Sequence, residues 1–68
     1  MREGAGVMLV EARSVVDGDR VADGHGRPIG WVLSRRAEGD SIVLRIDYGF
    51  ADATAWRLEP WMRVRVIR

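Results

Sequence analysis

The alternation of apolar and polar side chains over residues 41–48 constrains the fold more than any other feature of the chain. A period of two places alternate side chains on opposite faces of a β-strand, so that one face is apolar. No segment carries apolar residues at helical spacing over three or more turns. The sequence therefore predicts an all-β protein, and the apolar face of this strand is formed by Ile42, Leu44, Ile46 and Tyr48.

Shorter runs of strand-forming residues lie on either side of this segment, separated by turns that contain Gly, Asp or Pro. Pro60 interrupts the last of these runs, because proline cannot donate a ladder hydrogen bond. We expect a short 3-10 turn at residues 59–61, just before the final strand. The further runs, at 7–16, 20–22, 29–36, 53–58 and 62–67, bring the predicted total to five or six short strands.

A chain of 68 residues without cysteine has room for one small core and no disulfide to support it. Two full sheets would need more residues. A single curled sheet that closes on itself buries one face of every strand and hides its edges. We therefore expect a small five-stranded barrel over residues 7–68, preceded by a flexible, glycine-rich arm at residues 1–6.

The order of the predicted elements resembles that of SH3-like barrels, with a long first strand, a loop-bearing second strand, two tight hairpins, a 3-10 turn and a short last strand. Over residues 18–32, Gly-Asp-Arg-Val followed by Gly26 and Gly-Trp-Val also resembles KOW-type barrels. The extra Gly and the tighter V-x-V of that pattern are altered here, so no RNA-related or ribosomal role is carried over. In composition the chain is similar to small orphan proteins of actinobacteria and their phages, which would fit a phage accessory protein.

The charges nearly cancel, at a formal +1, which argues against strong attraction of the whole protein to DNA or anionic lipid. Every basic residue is Arg and none is Lys. This usage fits either bidentate Arg contacts or the codon preference of a GC-rich genome. The end of the chain is the more basic part, so any electrostatic steering would come from Arg57, Arg63, Arg65 and Arg68.

Candidate catalytic and metal-binding residues lack the partners that such chemistry needs. Asp17, Asp19 and Asp23 resemble part of a calcium loop, but its fifth and twelfth positions, which need an oxygen ligand and a Glu, hold Val21 and Pro28. We therefore interpret the three aspartates as turn-forming. His25 lies between two glycines with no orienting partner nearby in sequence, and a solvated loop histidine is expected. We predict no catalytic residue, no cofactor and no metal site.

The three tryptophans carry more information. Trp31 and Trp56 fall on predicted inward faces, and a small barrel needs their large apolar area in its core. Trp61 lies beside Pro60 at the break before the last strand. In SH3-like domains an aromatic residue near this point can line a peptide groove. Two interpretations stay open for Trp61, a groove residue or a plug at the end of the barrel.

Arginines interleaved with an exposed tryptophan are typical of a surface that binds single-stranded nucleic acid, and also of a solvated strand that resists aggregation. The candidate binding surface consists of Arg35, Arg36, Arg45, Trp61, Arg63 and Arg65. A second set of apolar residues is expected to face outward, and would mark a partner surface if gathered into one patch. Its members are Val7, Leu9, Val32 and Val43.

These observations favour a non-catalytic protein-interaction module, which binds either a second copy of itself or a host protein. The alternative is a nucleic-acid-binding barrel that uses the arginines near the end of the chain with Trp61. An enzyme is the least favoured class. A secreted domain of this size would usually carry disulfides, so the lack of cysteine leads us to expect a cytoplasmic protein. The apolar run at residues 7–10 is too short for a signal-peptide core or a membrane span, so we expect no membrane partner.

Overall fold

The computed structural model describes residues 6–50 and 52–68, and over these residues the protein is all-β, as predicted. Six strands form one antiparallel sheet in the order β1-β6-β2-β3-β4-β5. The strands are β1 Val7–Glu11, β2 Arg20–Ala22, β3 Pro28–Glu38, β4 Ser41–Asp47, β5 Thr54–Leu58 and β6 Arg63–Ile67.

The sheet is curled, which follows from the short connection between β5 and β6. These two strands are separated in the sheet by β2, β3 and β4, a distance of about 19 Å if the sheet were flat. The Met62 N–H donates to the Glu59 carbonyl at 3.1 Å, so the connection is one tight turn. A turn of this kind holds Leu58 and Arg63 within about 15 Å of each other. The sheet must therefore bend around its apolar face.

Curling does not close the sheet among the described residues. Strands β1 and β5 lie at its two edges and do not pair with each other. The closed five-stranded barrel expected from the sequence thus differs from the observed sheet in strand number and in closure. Residues 1–5 of the expected N-terminal arm lie outside the described residues, while Gly6 exchanges two backbone hydrogen bonds with Arg68.

The 3-10 helix was predicted in the wrong place. It spans Ala12–Ser14, directly after β1, whereas the segment before β6 makes the single turn described above. The two turns bind each other, because the Ala12 N–H donates to the Met62 carbonyl at 2.7 Å and the Arg13 N–H donates to the Pro60 carbonyl at 3.1 Å. Pro60 occupies the second position of the turn at residues 59–62, where proline is favoured in β-turns. The chain makes this one turn and does not continue into a 3-10 helix.

The core is small and aliphatic. The prediction for β4 is confirmed, since Ile42, Leu44 and Ile46 are all buried on one face. The largest side chains with almost no exposure are Leu44, Ile46, Val15, Val21, Val32 and Val66. Trp56 packs against this core and is half-buried, with its indole N–H donating to the Tyr48 hydroxyl at 2.9 Å.

The prediction of which β3 side chains face the core was wrong. Trp31 is 48% exposed and Leu33 is 44% exposed, whereas Val32, expected outside, is 2% exposed. Gly30 explains the inversion, because a Cβ atom at this position would lie 2.7 Å from the Asp47 carbonyl oxygen. The inner side of β3 therefore has room only for glycine next to β4, and the large side chain of Trp31 faces outward. Ile29, on the other side of Gly30, is partly buried and packs against the core.

Val43 was also expected outside and is buried, at 7% exposure. It alternates with the core residues of β4, so it lies on the outer face of the sheet. Its cross-strand neighbours are Arg36 and Arg57, both of which form ion pairs with Glu38. We attribute its burial to the aliphatic stems of these two arginines.

A partly buried ion pair, between Asp19 and the more exposed Arg68, fastens the end of β6 to the segment before β2. Asp19, which is 8% exposed, accepts hydrogen bonds from Arg68 Nη2 at 2.8 Å, from Arg68 Nε at 3.1 Å and from the Val16 N–H at 3.0 Å. The hydrogen bonds from Arg68 lower the pKa of Asp19 below its ordinary value, against the opposing effect of burial, and the Val16 N–H adds to the lowering. The pair thus favours the charged carboxylate in the folded state.

Gly30→Ala should destabilise the protein by about 1–3 kcal/mol, because the new methyl group meets backbone atoms that cannot move aside. The measurement is urea-induced unfolding. The matched control is Gly24→Ala, since a Cβ atom there has no neighbour within 4 Å. Equal stability of the two variants would contradict a close approach of β3 to β4 at Gly30.

Asp19→Asn should cost about 1–3 kcal/mol at neutral pH, because Arg68 loses its charged partner. Since the pKa of Asp19 is lowered from 3.8 on folding, its contribution is complete above that value and is lost as the pH falls further. The stability difference between wild type and variant should therefore shrink below pH 3.8 in acid titrations of unfolding. The exposed Asp40→Asn variant is the control, and a difference that stays constant into acid would refute the assignment.

Candidate interaction surface

The outer edge of β1 presents unpaired backbone groups. Gly6 and Arg68 exchange hydrogen bonds of 2.9 and 3.1 Å, which makes them a hydrogen-bonded pair of the β1–β6 ladder. Such pairs alternate along antiparallel strands. Met8 and Val10 therefore bond to β6, while the N–H and C=O groups of Val7 and Leu9 point away from it. Among residues 6–50 and 52–68, no strand pairs with that side of β1.

The side chains of the same strand are exposed and apolar. Val7, Met8 and Leu9 are 47%, 46% and 51% exposed. The tip of the β2–β3 hairpin lies beside them, since a Cβ atom at Gly26 would lie 3.4 Å from Val7 Cγ2. The expectation that Val7 and Leu9 face outward is confirmed, and together with Met8 they form one stretch, which we call the β1 edge.

A second exposed feature is the ring of Trp31 on the outer face. The Arg20 guanidinium carbon lies 4.8 Å from the centroid of this ring, a cation–π contact. The sheet register places Arg20 between Trp31 and Ile67, and Ile67 is opposite Val7. A shallow pocket of about 190 Å³ borders Trp31 and is also lined by Ile29 and Tyr48.

Trp61 does not plug the end of the curled sheet, because it is 61% exposed. It lines an open groove of about 550 Å³ with Leu58, Met62 and Arg63. The exposure argues against the plug interpretation, and the peptide-groove interpretation of Trp61 stays a prediction. The groove brings one aromatic ring and one guanidinium group of the predicted surface together.

The other predicted arginines are dispersed. Arg63 and Arg65 are exposed on β6, whereas Arg36 and Arg45 are exposed on β3 and β4. Strand β2 separates β6 from β3, so these pairs occupy different parts of the sheet. The six residues predicted from the sequence therefore do not form one continuous patch.

Arg35 binds the connector that follows β1. Its N–H donates to Asp17 Oδ1 at 3.0 Å, and its guanidinium donates to the Arg13 carbonyl at 3.1 Å. The register places it opposite Leu44, and thus on the face of the sheet opposite to Arg36. The contacts of Arg35 are structural.

Arg36 is also engaged within the chain. It shares Glu38 with Arg57, whose Nη2 lies 2.8 Å from the carboxylate. The hydrogen bond from Arg57, and after it that from Arg36, lowers the pKa of Glu38. This cluster lies on the surface and links β3 to β5 across β4.

The three aspartates considered for calcium have other partners. Asp17 binds the Arg35 N–H and Asp19 binds Arg68. Asp23 Oδ1 accepts the N–H groups of Arg27 at 3.0 Å and His25 at 2.8 Å, and these bonds lower the pKa of Asp23. Among the described residues no group of three potential metal ligands comes together.

Sequence reasoning missed Arg20 and Met8 as members of exposed surfaces. The exposure of Arg20 beside Trp31 could have been predicted from Gly30. If Gly30 faces the core, Trp31 faces outward, and the β2–β3 hairpin places Arg20 opposite Trp31. No comparable signal marks Met8. Its exposure depends on β1 being an edge strand, which is a property of the topology.

Comparisons with protein-family models, curated proteins and solved structures gave no match. Among the described residues there is no helix with the length and apolar character needed to cross a membrane.

Proposed function

We propose that this chain is a small, non-catalytic protein-interaction module that binds through the β1 edge. The observation that carries the proposal is the coincidence of exposed apolar side chains with outward-pointing backbone groups at Val7 and Leu9. Strand addition uses both, because backbone hydrogen bonds give affinity and alternate side chains give specificity. The partner is either a second copy or another protein.

The engagement of the ionisable groups supports a role without catalysis. The three carboxylates with clearly lowered pKa values, Asp19, Asp23 and Glu38, are held by arginines or backbone N–H groups of the same chain. A general acid or base needs a pKa near the working pH. Lowering the pKa of a carboxyl group moves it away from that range. The absence of cysteine supports a cytoplasmic setting.

We assign the domain to the SH3-like class of small barrels, in a form with an open edge. The curl of the sheet, the short β5–β6 connection and the pairing of the first and last strands support this assignment. The sixth strand and the position of the 3-10 helix after β1 are the departures from the expected pattern.

Affinity capture from nuclease-treated host lysate, combined with light scattering, tests the proposal. Leu9→Glu should weaken protein binding at least ten-fold, because it places a charge in the contact, while Arg65 on the neighbouring strand can pair with it in the free chain. Ala55→Glu, on the exposed part of the other edge strand, is the matched control. A monomer that binds no protein, or binding that both variants retain, would contradict the proposal.

A second candidate function is binding of single-stranded nucleic acid, favoured by the groove that joins exposed Trp61 to Arg63. Bases can stack on such a ring while the guanidinium contacts phosphate. This function needs only a small basic surface, in keeping with the net charge of +1.

Quenching of tryptophan fluorescence by a single-stranded oligonucleotide, measured against salt, tests this candidate. Arg63→Gln with Arg65→Gln should reduce affinity several-fold and flatten the salt dependence, because each lost phosphate contact lowers the slope by about 0.7. Arg45→Gln, on β4, should have little effect. Binding that is absent, or equally sensitive to all three arginines, would remove this candidate.

A further inference from the structure

The two edges of the sheet differ in how they are protected. Strand β5 carries Arg57, which is held by Glu38, and it ends two residues before Pro60. Charged residues and proline are the usual means of preventing unwanted strand pairing at an edge. Strand β1 has no such feature over its first four residues. Its single charge, Glu11, lies at its end and is paired with Arg13 at 2.6 Å.

We infer that two copies of this chain pair through their β1 strands, antiparallel, about a two-fold axis at Met8. Since a homodimer is one form of the interaction module proposed above, this inference rests on that proposal and names the partner. The two sheets would join into one across the axis. The occupant is a second copy because the β1 edge is complementary to itself in hydrogen bonding and residues 7–10 carry no charge that would repel a second copy.

The hydrogen-bonding pattern fixes the possible registers. Because the free N–H and C=O groups of β1 belong to alternate residues, Val7 and Leu9 must occupy hydrogen-bonded positions of any new ladder. With the axis at Met8, Val7 of one copy exchanges two hydrogen bonds with Leu9 of the other. By symmetry, Leu9 of the first copy exchanges two hydrogen bonds with Val7 of the second. The outward N–H and C=O groups of Val7 and Leu9 are then all paired in both copies.

The side chains favour this register over the neighbouring one. With the axis at Met8, Val7 lies opposite Leu9, so apolar side chains face each other on the outer face of the joined sheet. An axis at Leu9 would place Val7 opposite Glu11 at both ends. Residues 7–10 carry no charge, so the Met8 register brings no like charges together, and it leaves Glu11 with Arg13.

The size of the contact indicates a reversible dimer. Strand β1 is five residues long, and a pairing of that length buries less than the roughly 1,200 Å² typical of stable interfaces. The monomer and the dimer should therefore exchange as the concentration changes. A covalent trap is the appropriate probe for such a species.

Single cysteines provide the trap, since the chain has none of its own. In the proposed register the two Met8 positions form a non-hydrogen-bonded pair with Cα atoms about 4.5 Å apart, within the range that a disulfide spans. In a glutathione redox buffer, Met8→Cys should form disulfide dimers at least ten-fold faster than Ala55→Cys, the exposed control on β5. It should also react faster than Leu9→Cys. Met8 is 46% exposed, so its truncation spares the core.

Faster cross-linking of Leu9→Cys, or equal rates for Met8→Cys and Ala55→Cys, would overturn the inference. Sedimentation of the cysteine-free chain gives an independent readout. Its mass should rise towards that of a dimer with concentration, and Leu9→Glu should move the midpoint at least ten-fold higher. A chain that stays monomeric, yet loses a different protein partner on Leu9→Glu, overturns the dimer and leaves the interaction module. A monomer that binds no protein overturns both.

Discussion

The close approach of β3 to β4 at Gly30 is the constraint on which the structure depends. With no side chain between the strands, the Gly30 backbone lies against the Asp47 carbonyl, and the sheet can bend around a core of small aliphatic residues. The bend allows a single turn at residues 59–62 to return the chain from one edge strand to the interior of the sheet. It also forces Trp31 onto the outer face.

The same curl determines what the surface offers. The turn before β6 and the 3-10 helix after β1 bind each other, and the Asp19–Arg68 pair fastens the other end of β6. Strand β6 is therefore held on both sides, by β1 and β2. Strand β1 has neighbours on one side only within the described part of the chain. Its outward backbone groups and exposed apolar side chains follow from that position, and they are the basis of the proposed function.

Sequence patterns predicted some features of this structure and missed others for physical reasons. In β4 the alternation was sufficient to predict which side chains form the core, because Ile42, Leu44 and Ile46 share one buried face. It failed in β3, where both faces are partly apolar and a glycine faces the core. The burial of Val43 depends on arginines from two other strands. Exposure of Val7 and Leu9 was predictable from their spacing, but their role as an edge depends on which strands pair, and no local pattern specifies that.

The central claim is that β1 binds β6 on one side and leaves its other side free, and amide hydrogen exchange resolved by NMR tests it residue by residue. In dilute solution the amides of Met8 and Val10 should exchange slowly, since they donate to β6, while those of Val7 and Leu9 exchange rapidly. Protection of Val7 and Leu9 should then grow with protein concentration. A Leu9 amide as protected as that of Met8 at the lowest concentration would show that the edge is covered within a single chain, and would contradict the account.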